Sequence, residues 1–102
     1  MWVLLVLGCT SDACRLLCAT TAQRLEECLP EWGATWEDFD ATSRVDYGDR
    51  CRAQWDDERL TLELRQLDVA NGECTTADDE LTGNNGADKL SCDELRPLYV
   101  EP

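Results

Sequence analysis

Apolar positions along this chain fall into blocks of different period. Residues 2–7, Trp-Val-Leu-Leu-Val-Leu, are an unbroken apolar run, and charge begins only at Asp12. From there the pattern turns helical. At about 100° per residue, Cys14, Leu17, Cys18, Leu25, Cys28 and Leu29 fall within about 120° of one another. Arg15, Gln23, Arg24, Glu26 and Glu27 lie off that stripe. Ser11 or Asp12 supplies an N-cap oxygen, and Pro30, which cannot donate to the helix ladder, ends it after Leu29. A first helix over 12–29 is therefore predicted.

Residues 30–42 read as a connection carrying three aromatics, Trp32, Trp36 and Phe39. As a hydrophobic plug they seal the loop against the helices it joins. As exposed side chains they form a patch for a partner, since aromatics dominate interface hot spots. The plug is the preferred reading. Ser43-Arg44-Val45-Asp46 then resembles a capping box with Asp in place of Glu, and opens a long second helix over about 43–68. Its ion pairs at i, i+4 are Asp46–Arg50 and Arg59–Glu63. Cys51, Trp55 and Leu62 share one face, and Leu60, Leu64 and Leu67 share the opposite one, so a third element must cover the second stripe. Alternation of Leu60, Leu62 and Leu64 also fits a strand over 59–65, but Leu, Glu, Arg and Gln are helix formers. Asn71-Gly72 reads as a helix end, 72–88 as a turn-rich acidic loop, and about 87–96 as a short last helix stopping before Pro97.

Composition narrows what such a domain does. At 102 residues it forms one domain, and 22 Asp+Glu against 9 Lys+Arg give a net charge of -13. Phosphate contacts need clustered cations, so nucleic acid is excluded as a partner. There is no His, which removes imidazole bases, His-based zinc sites and the Ser-His-Asp and Cys-His arrangements. The acidic loop lacks the calcium-loop spacing: with Gly86 at the glycine position, Leu81 and Gly83 fall where the first two ligands belong. No cofactor and no metal site is expected. The sequence carries no catalytic constellation, so a non-enzymatic role is expected.

The apolar start and the cysteine count point in one direction. Val6-Leu7-Gly8-Cys9 resembles the lipobox of bacterial lipoproteins, and the chain as a whole resembles the short, Cys-rich predicted lipoproteins of Gram-negative bacteria. The resemblance rests on residues 1–9 and the cysteine pattern. It implies diacylation of the Cys9 thiol and cleavage before it, with residues 1–8 the remnant of a signal peptide. No Lys or Arg precedes the apolar run, so the leader is expected to begin upstream of Met1. Thr10 rather than Asp after Cys9 implies the outer membrane or cell surface. The run is too short to span a bilayer.

Seven Cys is an odd number. With Cys9 assigned to lipid, six remain for three disulfides, which implies an exported, oxidising compartment. Cys14-x3-Cys18 and Cys18-x9-Cys28 also resemble half of the twin-cysteine helical hairpins of the mitochondrial intermembrane space. The second helix has only Cys51, so nothing beyond side-by-side crosslinked helices is carried over. Placing the first two helices antiparallel at about 1.5 Å rise per residue makes Cys18 level with Cys51. Cys14, one turn higher, then pairs with Cys74, and Cys28 with Cys92. A swap to Cys14–Cys92 and Cys28–Cys74 stays open, because Cys74 must fold back to reach Cys14.

The expectation is a small all-α domain of three helices, stapled by three disulfides and occupying residues 9–102. It serves as a lipid-anchored envelope or cell-surface domain, structural or protein-binding, with an unidentified protein partner and the membrane reached through Cys9. The alternative is a soluble, periplasmic or secreted scaffold of the toxin or inhibitor kind.

Overall fold

The computed structural model describes residues 12–100. The lipobox residues and Cys9 lie outside them. Four helices follow in order: α1 Ala13–Trp32, α2 Arg44–Arg59, α3 Leu64–Thr82 and α4 Cys92–Tyr99. Single 3-10 turns sit at Trp36–Phe39 and Asn84–Gly86. No strand occurs among the described residues, so the alternation at 59–65 does not make one. The domain is all-α and disulfide-stapled.

α1 is the spine. Asp12 caps it, its carboxylate accepting from the amides of Cys14 and Arg15 at 3.1 Å. The helix passes through Pro30 and ends one turn later than expected. Gly33 takes the left-handed conformation at φ 68°. Its amide bonds the Pro30 carbonyl, and that of Ala34 bonds Leu29, the double closure of a Schellman motif. The extra turn is held by Trp32, which is buried and donates its indole N–H to the Cys92 carbonyl at 2.9 Å. That tertiary bond offsets the ladder bond that Pro30 removes. Pro97 is likewise inside α4 rather than beyond it.

The expected helix over 43–68 is two helices. Ser43 caps α2 as anticipated, its hydroxyl accepting from the Asp46 amide at 3.1 Å. The Asp46 carboxylate takes the Thr42 amide rather than that of Ser43. At the other end Thr61 and Leu62 bond back to Glu58 and Arg59 in a tightened turn, with the Thr61 hydroxyl also on the Glu58 carbonyl. Glu63 then starts α3, its amide bonded to the Gln66 side chain at 2.8 Å. The break removes the expected Arg59–Glu63 pair, and Arg59 pairs with Asp12 at 2.9 Å instead. The Asp46–Arg50 pair forms, at 3.0 Å.

α3 runs straight through Asn71-Gly72 and most of the segment expected to be a loop, ending at Gly83 with φ 81°. Gly in a helix interior costs about 1 kcal/mol relative to Ala. It is offset by what the neighbouring residues bind: Asn71 Oδ1 accepts from the Ala13 amide at 2.9 Å, and Cys74 is crosslinked to Cys14. α4 begins at Ser91, later than expected, with a complete capping box to Glu94.

α2 runs antiparallel to α1, as the Cys18–Cys51 bond and the Glu26–Arg44 ion pair show. α3 runs parallel to α1, with Cys14 joined to Cys74 and Leu25 packed with Leu81. α4 closes the far end, where Leu25, Cys28, Leu29, Trp32, Leu81 and Leu95 form the buried core. Arg24, placed on the wet side by its angle, is covered by the chain before α4 and donates to the Leu90 carbonyl. The last helix does not cover the Leu60/Leu64/Leu67 stripe: Leu60 and Leu64 are 81 % and 86 % exposed. α4 is held at the opposite end by Cys28 and Trp32.

The three disulfides join Cys14 to Cys74, Cys18 to Cys51 and Cys28 to Cys92, with Cα separations of 5.0, 5.6 and 5.4 Å. Cys18–Cys51 is the pair that the register of antiparallel helices gives, and of the two arrangements left open for the other four cysteines the structure has Cys14–Cys74 with Cys28–Cys92. Cys74 needs no fold-back, because the break at 60–63 returns α3 along α1. Three such bonds place the domain in a non-reducing, extracytoplasmic environment. No helix among the described residues is long and apolar enough to cross a membrane.

Candidate binding groove

α2 and α3 each pack along α1 and make little contact with one another. Between them runs a groove above a stripe of α1 that is itself largely covered, Cys14, Cys18 and Thr21 being buried and Leu17 half-buried. Its floor is Cys14, Leu17, Cys18 and Thr21, one face of a helix at i, i+3 and i+4 spacing. One wall is α2, presenting Tyr47, Cys51, Gln54, Trp55 and Glu58. The other is Cys74 of α3 and Tyr99 of α4. The open cavity so formed is about 330 Å³. A second of about 330 Å³ continues it along α2 through Tyr47, Cys51 and Gln54 to Phe39, Asp40 and Arg50.

Aromatic rings give the groove its character. Phe39 meets Tyr47 edge-on at 6.4 Å, and Trp36 lies 5.9 Å from Tyr47 on a tilted plane. All three are half-buried, as are Trp55 and Tyr99. Burial raises the Tyr47 hydroxyl above its ordinary value, with a smaller contribution from Tyr99, so Tyr47 is neutral at physiological pH. Trp55 is fixed by Asp12, whose carboxylate oxygens accept its indole N–H at 3.0 and 3.1 Å. Arg59 donates to the same carboxylate. A smaller open cleft of about 300 Å³, lined among others by Asp12, Trp55, Arg59, Leu64 and Asn71, lies at this end of the domain.

Three charged residues, Asp40, Arg50 and Glu58, line the groove. Six of the nine cations are held by carboxylates of the domain itself: Arg15, Arg24, Arg44, Arg50, Arg52 and Arg59. Arg50, the one cation lining the groove, is neutralised by Asp46 at 3.0 Å. Asp40 and Glu58 lie at its two ends and have no cation partner among the described residues. Among the described residues there is no group of three His, Cys, Asp or Glu that could hold a metal ion.

The aromatics singled out in the sequence are divided by the structure. Trp32 is 7 % exposed and unavailable to a partner. Trp36 and Phe39 pack partly against the core as a plug, and Phe39 also reaches the groove. Tyr47 and Tyr99 were not anticipated. Tyr47 precedes Cys51 by four residues and Trp55 by eight, so the inward stripe of α2 was readable as starting at Tyr47. Tyr99 carries no such signal, because Pro97 reads as a stop before it although α4 continues through it. No protein-family model, curated protein or solved structure matches the chain.

Proposed function

We propose that the protein is a non-enzymatic, lipid-anchored domain of the bacterial envelope or cell surface that binds a protein partner. The observation that carries the binding role is the aromatic groove on α1, whose half-buried Phe39, Tyr47, Trp55 and Tyr99 have the composition of an interface core. The lipobox-like Val6-Leu7-Gly8-Cys9 supports the anchor. The three disulfides account for six of the seven cysteines, and they fit an exported chain. Asp12, three residues beyond Cys9, caps α1.

The anchor is tested by expression of the full reading frame in a Gram-negative host. Intact mass of the purified protein is expected to show cleavage before Cys9 and an added diacylglycerol, and the protein to partition into detergent. Cys9→Ser abolishes both. Unmodified, water-soluble protein with a free Cys9 thiol overturns the anchor and leaves the soluble secreted scaffold as the better reading.

A further inference from the structure

The groove specifies more than that something binds. On α2 the lining residues Tyr47, Cys51, Gln54, Trp55 and Glu58 recur at i, i+4, i+7, i+8 and i+11, which is a single helix face three turns long, about 16 Å. α1 supplies the floor from a second helix and α3 and α4 the far wall. A groove open on one side, walled along three turns by α2 and bounded opposite by Cys74 and Tyr99, is a seat for the side-chain ridge of a further helix. No strand is present among the described residues, so there is no sheet edge here for an extended peptide to join.

The charge selects the kind of helix. The accessible lining is aromatic and apolar at Leu17, Tyr47, Trp55 and Tyr99, while the carboxylates of Asp40 and Glu58 stand at the two ends without cation partners among the described residues. The chain carries a net charge of -13, which steers cations toward it and disfavours a second copy of itself. Resting on the reading above that the domain binds protein, we propose that the groove takes the apolar face of a cationic amphipathic helix from its partner. Leu, Ile or Phe side chains of that helix pack against Tyr47, Cys51 and Trp55, and its Lys or Arg residues meet Asp40 and Glu58.

The test is calorimetric titration of the oxidised protein with designed peptides, with the binding site located by amide and indole NMR shifts. The main probe is a Leu/Lys helix of about four turns with Leu at i, i+3, i+4 and i+7. Expected are saturable 1:1 binding and shifts at Tyr47, Gln54 and the Trp55 indole. Affinity should fall about tenfold or more in Gln54→Arg, which puts a cation into the groove from an exposed position. It should also fall in the pair Asp40→Asn with Glu58→Gln, together with its salt dependence. A scrambled Leu/Lys peptide binding equally well, shifts outside the groove, or no binding overturns the inference. Self-association that occupies the groove does so too. A Leu/Glu helix or a proline-rich peptide that binds in place of the Leu/Lys helix, with shifts at Tyr47, Gln54 and the Trp55 indole, also overturns it but leaves the groove as a protein-binding site. Lipidation is decided separately by intact mass, so the two ideas fail independently.

Discussion

Asp12 holds Trp55 across 43 residues of sequence: both oxygens of its carboxylate accept the indole N–H, at 3.0 and 3.1 Å. The same carboxylate caps α1 through the amides of Cys14 and Arg15 and pairs with Arg59. One side chain therefore starts the spine, ties the end of α2 to it and fixes the ring that forms one end of the groove. Asp12→Ala should cost about 2 kcal/mol, combining a lost cap with an orphaned indole donor. Asp12→Asn, which keeps a capping oxygen, should cost about half of that. Urea midpoints compare the two, and equal losses would show that the cap contributes nothing.

Trp32, rather than Trp36, is the buried member of the aromatic connection. Trp32→Ala should destabilise by about 3–5 kcal/mol as a core truncation. Trp36→Ala, removing a half-buried ring, should cost clearly less. Trp32→Phe keeps most of the volume but leaves the Cys92 carbonyl without its donor, at about 1–2 kcal/mol. Chemical denaturation of the three variants orders them, and a Trp36→Ala loss exceeding that of Trp32→Ala would contradict the packing described.

The Cys28–Cys92 bond spans 64 residues of sequence and holds α4, which has only eight residues. Replacing both cysteines by Ser should cost about 4 kcal/mol in the chain-entropy picture. An isolated helix of that length is not stable in water. Hydrogen exchange at residues 92–99 should therefore accelerate far more than at residues 13–22, which remain crosslinked through Cys14 and Cys18. Uniform acceleration along the whole chain would show that α4 does not open separately.

Gly72 sits inside α3 with nothing within 4 Å of where a Cβ would stand. Gly72→Ala should raise stability by about 1 kcal/mol, by removing backbone freedom from the unfolded chain. Thermal melting of the oxidised protein reads it directly. A lowered melting temperature would place Gly72 outside a helix interior.

Three carboxylates are held below their ordinary values: Asp46 by the Thr42 amide and by Arg50, Asp56 by Arg15, and Glu94 by the Ser91 amide and hydroxyl. Their folded values lie below the unfolded ones, so their stabilisation is complete above the unfolded values and is lost as pH falls through the folded ones. Tyr47 runs the other way. Its folded value is raised by burial, so its contribution is intact below the ordinary tyrosine value of about 10 and is lost as pH rises through the folded value. Relative to the parent, Asp46→Asn and Asp56→Asn should flatten the acid limb of stability against pH, and Tyr47→Phe the alkaline limb. Parallel limbs in parent and variants would assign the pH dependence to other groups.

The sequence by itself determined what depends on neighbours within about one helical turn. Ser43 and Asp12 were legible as caps because a cap bonds residues two or three places on. The all-α class followed from periodicity and from residues with helical preference. The Cys18–Cys51 pairing followed because a fixed rise per residue sets which positions on two antiparallel helices are level, whereas the tertiary fold decided between the two ways of pairing the other four cysteines. The tertiary structure decided where the other helices begin and end. Glu63 is not a favoured cap, so the break before α3 was hidden, although Thr61 and Gln66 carry its bonds. Pro30 and Gly72 read as stops, yet both lie inside helices. Trp32 reaches Cys92 and Asn71 reaches Ala13, and such distant bonds outweigh a local preference of about 1–3 kcal/mol. The groove was illegible for the same reason: it exists because α2 and α3 both lie on α1 and stay apart from one another.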